Sequence, residues 1–300
     1  MKNTHLEHPE DLVLFGQDRA KQVINYLLNC TGYCSTKYDG APAIVFGTNP
    51  ENGKFFVGTK SVFNKKKVKI NYTHHDIQVN HGNNSNVASI LHVCLDNLPR
   101  IDGVYQGDFI GFGGTDSFSP NTITYTFPNV INSAILFAVH TAYTGATMIE
   151  MQGKVGIDLS DTFVSSPTVY FTNTHAQVTS RRRRVNYILG LASVVSNFVK
   201  YPTGKEAERL KIQINRCIRE GRVIDCIPGN LGVLYKLIIT AKELLMEGIT
   251  ASANVSCSVN SDVVDHEGYV HSNVYGDFKL IRRKEFSFYN FSLPKKWHVS

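Results

Sequence analysis

Near the N-terminus apolar residues recur at helical spacing. Leu14, Phe15, Val23, Ile24, Leu27 and Leu28 fall on one face, which predicts a helix over 11–28 with Gly32 as its stop. From Tyr33 to Gln177 the period changes. Short apolar and β-branched runs alternate with turn signals at 43–46, 55–57, 104–110, 122–127, 135–141 and 168–172. Asn52-Gly53 lies between two of these runs and predicts a hairpin. Helical texture returns over 181–249, with one segment opening at Arg181, a second over 206–220 closed by Gly221, and a third over 231–247 closed by Gly248. Strand texture resumes at 254–259, 268–274 and 278–281. The pattern predicts one strand-rich, antiparallel α+β domain spanning 1–300 and interrupted by a helical insertion at 180–250.

Composition adds bounds. At 300 residues, with 42% hydrophobic and 19% charged, the chain can bury a sizeable core. Lys and Arg outnumber Asp and Glu by 31 to 25, a mild excess that suits an anionic partner such as ATP or nucleic acid. No segment reads as a membrane span, because 133–149 is short and 231–249 carries four charges, Lys236, Lys242, Glu243 and Glu247. None of the six cysteines has C-x-x-C spacing, and the N-terminus lacks a signal-peptide core, so reduced thiols in a cytoplasm are expected.

Four segments carry candidate chemistry. Thr36-Lys37-Tyr38-Asp39-Gly40 is a K-x-D-G sequence. Phe56-Val57-Gly58-Thr59-Lys60 is a strand-like run ending in a lysine. Tyr105-Gln106-Gly107-Asp108-Phe109 sets a glycine and a carboxylate within a strand. Glu267-Gly268-Tyr269-Val270 and Asp277-Phe278-Lys279-Leu280 put a carboxylate and then a lysine on two late strands.

In this order the segments resemble the motifs of the covalent nucleotidyltransferase superfamily, the ATP-dependent DNA and RNA ligases and mRNA-capping enzymes. The wider wording, His5-Leu6-Glu7-His8-Pro9-Glu10-Asp11 and Lys37 to Ile44, looks like tailed-bacteriophage proteins of the RNA-ligase-like type. The resemblance implies an antiparallel-rich, ATP-grasp-like adenylation core and a lysyl-AMP intermediate on Lys37. AMP then passes to a 5′-phosphate, RNA being favoured over DNA as the acceptor. It implies Lys37, Lys279 and Glu267 as catalytic residues. Thr36, Asp39, Gly40, Lys60 and Asp108 would bind nucleotide, and Phe137 or Phe127 would stack on adenine, although core packing is the first reading of either ring. Glu267, with Asp108 behind it, would hold Mg²⁺ or Mn²⁺, although Asp108 equally suits the ribose. A lysine that attacks phosphorus must be neutral, and at a pKa near 10.4 only about one in a thousand is neutral at pH 7.4. Lys279, Lys60 and the metal ion are expected to lower that pKa.

The sequence departs from the family pattern in four places. Ala41-Pro42-Ala43 replaces the arginine that usually continues the nucleophile motif. Lys60 stands where arginine is common, Ile281 stands where a second lysine is usual, and only about twenty residues follow Lys279, too few for a C-terminal OB barrel. Arg282, Arg283 or Lys284 is a candidate substitute for the lysine missing at 281. These departures keep two rivals open, an end-capping transferase that uses GTP and a degenerate relative that binds without chemistry. The run Arg181-Arg182-Arg183-Arg184 reads as a nucleic-acid contact or a solvated face. Lys65-Lys66-Lys67 reads as solvated surface first and a phosphate contact second, and His74-His75-Asp76 matches no zinc spacing. The sequence leaves the oligomeric state open.

Overall fold

The computed structural model of this chain describes residues 6–29, 31–179 and 182–286. The first part of the chain forms α1 (Pro9–Leu12), α2 (Gln17–Leu28), β1 (Tyr33–Thr36), β2 (Ala43–Thr48), β3 (Phe55–Gly58), α3 (His74–His81) and α4 (Ser85–Asn97). Strands follow: β4 (Val104–Phe112), β5 (Thr115–Phe118), β6 (Thr124–Ile131), β7 (Ile135–Thr144), β8 (Gln152–Lys154), β9 (Val169–Phe171) and β10 (His175–Val178). Then come α5 (Arg182–Ser196), α6 (Gly204–Arg219), α7 (Gly229–Met246), β11 (Ile249–Ala251), β12 (Ser256–Val259), β13 (Asp262–Val264), β14 (Gly268–Asn273) and β15 (Gly276–Ile281).

The fold is mixed α+β, and its three sheets are open, none closing into a barrel. A five-stranded sheet runs β11-β10-β1-β14-β15, and a six-stranded sheet runs β3-β2-β4-β7-β8 with β9 beside β7. A four-stranded sheet runs β13-β12-β6-β5. All pairings are antiparallel except β7 with β9. Strand alternation sends one face of each large sheet to a helical layer. Cys34, Ala176, Phe278 and Leu280 of the five-stranded sheet share a core with Tyr26 of α2, Leu189 of α5 and Leu234 of α7. Ile44, Phe137 and Val139 of the six-stranded sheet share another with Ile77 of α3 and Leu91 of α4.

The stretch expected as an insertion is part of the main core. Its helices, with α2, are the cover of the five-stranded sheet, and α7 is tied to α1 and β15 by buried charges. Lys242 donates to Glu10 Oε1 at 2.7 Å and to the Ile281 carbonyl at 2.9 Å. Arg283 donates to Asp11 Oδ1 at 2.7 Å and to Asn215 Oδ1 at 2.6 Å.

The helical bounds follow local chemistry. Thr203 caps α6 in a capping box with Glu206, and Thr73 does the same for α3 with Asp76. The single N-terminal helix expected over 11–28 is broken at Gly16 into α1, a 3-10 turn at Val13–Phe15, and α2. Helices α3 and α4 fall within the stretch expected to be strand-rich, between the runs predicted at 55–57 and 104–110. Ala88, Leu91, Cys94 and Leu95 give α4 a buried face at helical spacing. No helix among the described residues is long and apolar enough to cross a membrane.

Candidate active site

Lys37 leaves the end of β1 beside β14. Thr36 pairs with Tyr269, and the next peptide closes the ladder with Lys37 N–H donating to the Gly268 carbonyl at 2.9 Å. Glu267 precedes β14 directly, so antiparallel pairing alone brings residues 230 positions apart into contact. The Lys37 ammonium donates to Glu267 Oε2 and stands 3.6 Å from Asp39 Oδ1. Val270 pairs with Ser35 on one side and with Lys279 on the other. Ser35, Val270 and Lys279 therefore form one cross-strand row beside Lys37.

This row faces a cavity of about 480 Å³ between the two large sheets. Thr36, Lys37, Lys60, Asp108 and Lys279 all line it. Asp108 comes from β4, where it pairs with Ala43 just after the K-x-D-G segment. Gly40 sits in the close approach between these strands. A Cβ there would stand 2.5 Å from the Phe109 carbonyl oxygen and 2.7 Å from Asp108 Cβ. Gly40→Ala should therefore destabilise the fold by about 1–3 kcal/mol and displace Asp108, a shift that urea unfolding and nucleotide titration would both read.

Asp39 and Glu267 stand behind Lys37 rather than in the cavity lining. Asn121 Nδ2 donates to Asp39 Oδ2 at 2.6 Å, and Asp39 N–H donates to Tyr125 Oη at 2.8 Å. Burial favours the neutral form of Lys37, but Glu267, Asp39 and Asp108 outweigh it and hold the pKa above the ordinary lysine value. Among the protein's own groups, then, the carboxylates outweigh Lys279 and Lys60, which were expected together with a metal ion to lower the Lys37 pKa. Burial lifts the Glu267 carboxyl above its usual range against the pull of Lys37. Burial, and then the charges of Lys37 and Arg283, lower the pKa of Lys279.

Several expected residues fall elsewhere. Phe137 is fully buried on the helix-covered face of its sheet, against Phe46 and Phe171, so it does not stack on a ligand in this cavity. The neighbouring Ala138 faces the cavity instead. Phe127 packs on Phe118 and Tyr170. Ile281 joins Tyr38 and Tyr125 in an apolar cluster. Arg283 does not replace a lysine at 281, since it is buried with Asp11 and Asn215, while Arg282 pairs with Asp265 and Lys284 is exposed. Arg183 and Arg184 are exposed at the start of α5, away from the cavity lining. Arg181 lies outside the described residues, as does the Arg182 side chain. Lys65, Lys66 and Lys67 are exposed.

Among the described residues no group of three or more His, Cys, Asp or Glu side chains is arranged to hold a metal ion. Glu267, the first candidate ligand, already gives one oxygen to Lys37. Asp108 offers a carboxylate to the cavity and stands 3.8 Å from His140 Nε2. That suits an ion arriving with phosphates, which needs only one or two protein carboxylates, better than a finished cage.

The structure adds residues the sequence did not point to. Gln106 pairs with Thr141 and Gly107 with Val139, leaving His140 as a bulge in β7. The bulge switches the alternation, so Ala138, His140, Thr141 and Tyr143 all line the cavity. Tyr143 Oη donates to Gln106 Oε1 at 2.7 Å on the same wall. Gly107 sits beneath it, where a Cβ would meet the Phe137 ring at 2.5 Å.

Comparison with curated proteins and with solved structures gives no match. One family model matches residues 3–227 and 229–295. The chain belongs to DUF6267, a family of unknown function.

Proposed function

We propose that the chain is a covalent nucleotidyltransferase of the ATP-dependent ligase type, in which Lys37 takes AMP from ATP and passes it to the 5′-phosphate of a nucleic acid, with RNA as the acceptor. One observation carries this reading. Lys37, Glu267 and Lys279, far apart in sequence, converge on three adjacent strands at a cavity that also presents Lys60 and Asp108. Its volume, about 480 Å³, lies in the range of small-ligand sites.

In the first step Nζ of Lys37 bonds to the α-phosphorus while the bond from that phosphorus to the bridging oxygen breaks. Pyrophosphate leaves with the electron pair. The ammonium sheds two protons. The first passes to Glu267 before the attack and frees the lone pair, since that buried carboxyl takes up protons more readily than an ordinary one, and the second leaves with the pyrophosphate as the N–P bond forms. Lys60 and Lys279 offset the charge that gathers on the phosphates. A Mg²⁺ carried in on the phosphates and met by Asp108 would add to that charge stabilisation.

Incubation with α-labelled ATP or GTP and Mg²⁺ tests the reading. An acid-labile protein adduct from either nucleotide supports a transferase, and the nucleotide that labels identifies the donor, GTP pointing to end capping. A second reading, a non-catalytic nucleotide-binding relative, draws on two observations: the carboxylates keep Lys37 charged, and an apolar Ile281 stands where the resemblance expects a lysine. Nucleotide binding without adduct would favour it. Nicked RNA, DNA and hybrid duplexes, supplied to the adenylylated protein, would show which acceptor is sealed.

The pH dependence has a definite sign. Glu267 is the strongest of the groups that raise the Lys37 pKa, while burial lowers it. Glu267→Gln removes that raising charge, so the Lys37 pKa falls. The acid limb of adduct formation should move to lower pH by about one pH unit or more, even as the maximal rate drops for want of a proton acceptor. A limb that stays in place would show that Glu267 does not govern the ionisation of Lys37.

A further inference from the structure

A second, smaller concavity of about 370 Å³ lies one short turn away from the Lys37 cavity. Thr59 and Ser61 line it, and the residue between them, Lys60, lines the first. The remaining wall includes Lys69, His81, Asn83 and Asn84, and no carboxylate is among its lining residues. Asn84 caps α4, its Oδ1 accepting from Val87 N–H at 3.2 Å, so the positive end of a thirteen-residue helix opens at this wall.

Three groups here are suited to an anion. Lys69 is held by its backbone N–H on the Ser61 carbonyl at 3.3 Å and by Nζ on the Asn80 carbonyl at 2.5 Å, which occupies one of its three ammonium donors. His81 is nine-tenths buried, and its Nε2 has no hydrogen-bond partner. Burial and the nearby Lys69 lower the His81 pKa, which favours the neutral ring, and a neutral ring can carry its proton on Nε2. The hydroxyls of Thr59 and Ser61 hydrogen-bond each other at 2.8 Å, which leaves one further donor. A buried ring nitrogen without a partner, beside a lysine and a helix N-terminus, is a cost to the fold that a bound oxyanion would remove in the tautomer that carries the proton on Nε2. The exposed Lys65, Lys66 and Lys67 in the adjoining loop extend the positive surface outward.

We propose that this pocket binds a phosphate group, and that in the working protein the phosphate belongs to the nucleic-acid strand whose end is brought to Lys37. The strand assignment rests on the nucleotidyltransferase reading, whereas the phosphate site does not. A strand with one phosphate seated here would run past Lys60 into the larger cavity.

The test uses the full chain, labelled for NMR, with Asn84→Asp as the decisive variant. Aspartate caps a helix as well as asparagine and favours its N-terminus, so α4 is kept while a like charge faces the phosphate. Inorganic phosphate, a 5′-phosphorylated oligoribonucleotide and its 5′-hydroxyl counterpart are titrated separately, following the His81 ring and the first amides of α4. Saturable shifts with any of these probes, weakened about ten-fold or more in Asn84→Asp, support the site. Saturation by the oligonucleotides at lower concentration than by inorganic phosphate supports a strand phosphate, and a preference for the 5′-phosphorylated strand assigns it to the end. Saturation by inorganic phosphate alone would overturn the strand assignment, and no saturable shift with any probe would overturn the site. Adduct formation on Lys37, measured in the same preparations, should be unchanged in Asn84→Asp. Absence of that adduct with phosphate still bound would sink the transferase reading and leave the pocket standing.

Discussion

Lys37→Ala is expected to take nucleotide adduct formation to background, a loss on the order of 10⁴-fold or more. The size of the effect follows from the chemistry. Among the described residues no other amine hydrogen-bonds Glu267 as Lys37 does, and the step needs a nucleophile that becomes covalently linked. Lys37→Arg should be equally inactive, because a guanidinium keeps its proton at any working pH and presents no lone pair. Both variants should still bind ATP, since Lys60, Lys279 and Asp108 remain on the cavity wall. Lys279→Ala should retain adduct formation but at a rate about 10²–10³-fold lower, the effect of removing one charge that faces the transferring phosphate. Radiolabel retention after gel separation, with binding measured separately, distinguishes these outcomes. Retained label in Lys37→Ala would remove Lys37 from the reaction.

The second large effect concerns stability and lies outside the cavity. Lys242 and Glu10 are each at most 2% exposed by side chain and pair at 2.7 Å. Their neighbours Asp11 and Arg283 form a second buried pair, also at 2.7 Å. Removing one partner strands the other charge in a low-dielectric interior, so Lys242→Ala should cost about 3–5 kcal/mol in chemical unfolding. The paired replacement Lys242→Met with Glu10→Leu removes both charges of this pair, stranding neither, and should recover most of that loss. Equal destabilisation by the single and the double variant would show that the pairing itself contributes little. The cluster also bears on the site. Lys242 holds the carbonyl of Ile281, the last residue of β15, and β15 carries Lys279. Loosening β15 should therefore weaken nucleotide binding in the folded fraction of Lys242→Ala.

The sequence by itself determined the element types over most of the chain and named Thr36, Lys37, Asp108 and Lys279, four of the residues that line the cavity. Strand alternation is local, so the side of β4 shared by Gln106 and Asp108 could be read from the residues alone. The Asn52-Gly53 turn and the helix stop at Gly221 are local in the same sense. The antiparallel sheet character and the three late helices follow from periodicity for that reason.

Tertiary structure decided what depends on partners. Helix α4 carried a helical spacing that the surrounding strand texture obscured. The helices at 182–246 read as an insertion because nothing in their own residues reveals that their apolar faces cover the sheet carrying Lys37. Phe137 stood beside Ala138 in an apolar run, and only the packing of α4 showed which of the two turns away from the cavity. The bulge at His140 shifts the strand phase by one residue, and no composition signal marks it. The charge state of Lys37 was decided by distance. The sequence names the carboxylates and the cations, but a Coulomb interaction falls with separation, and only the folded chain shows that Glu267 and Asp39 stand against the amine.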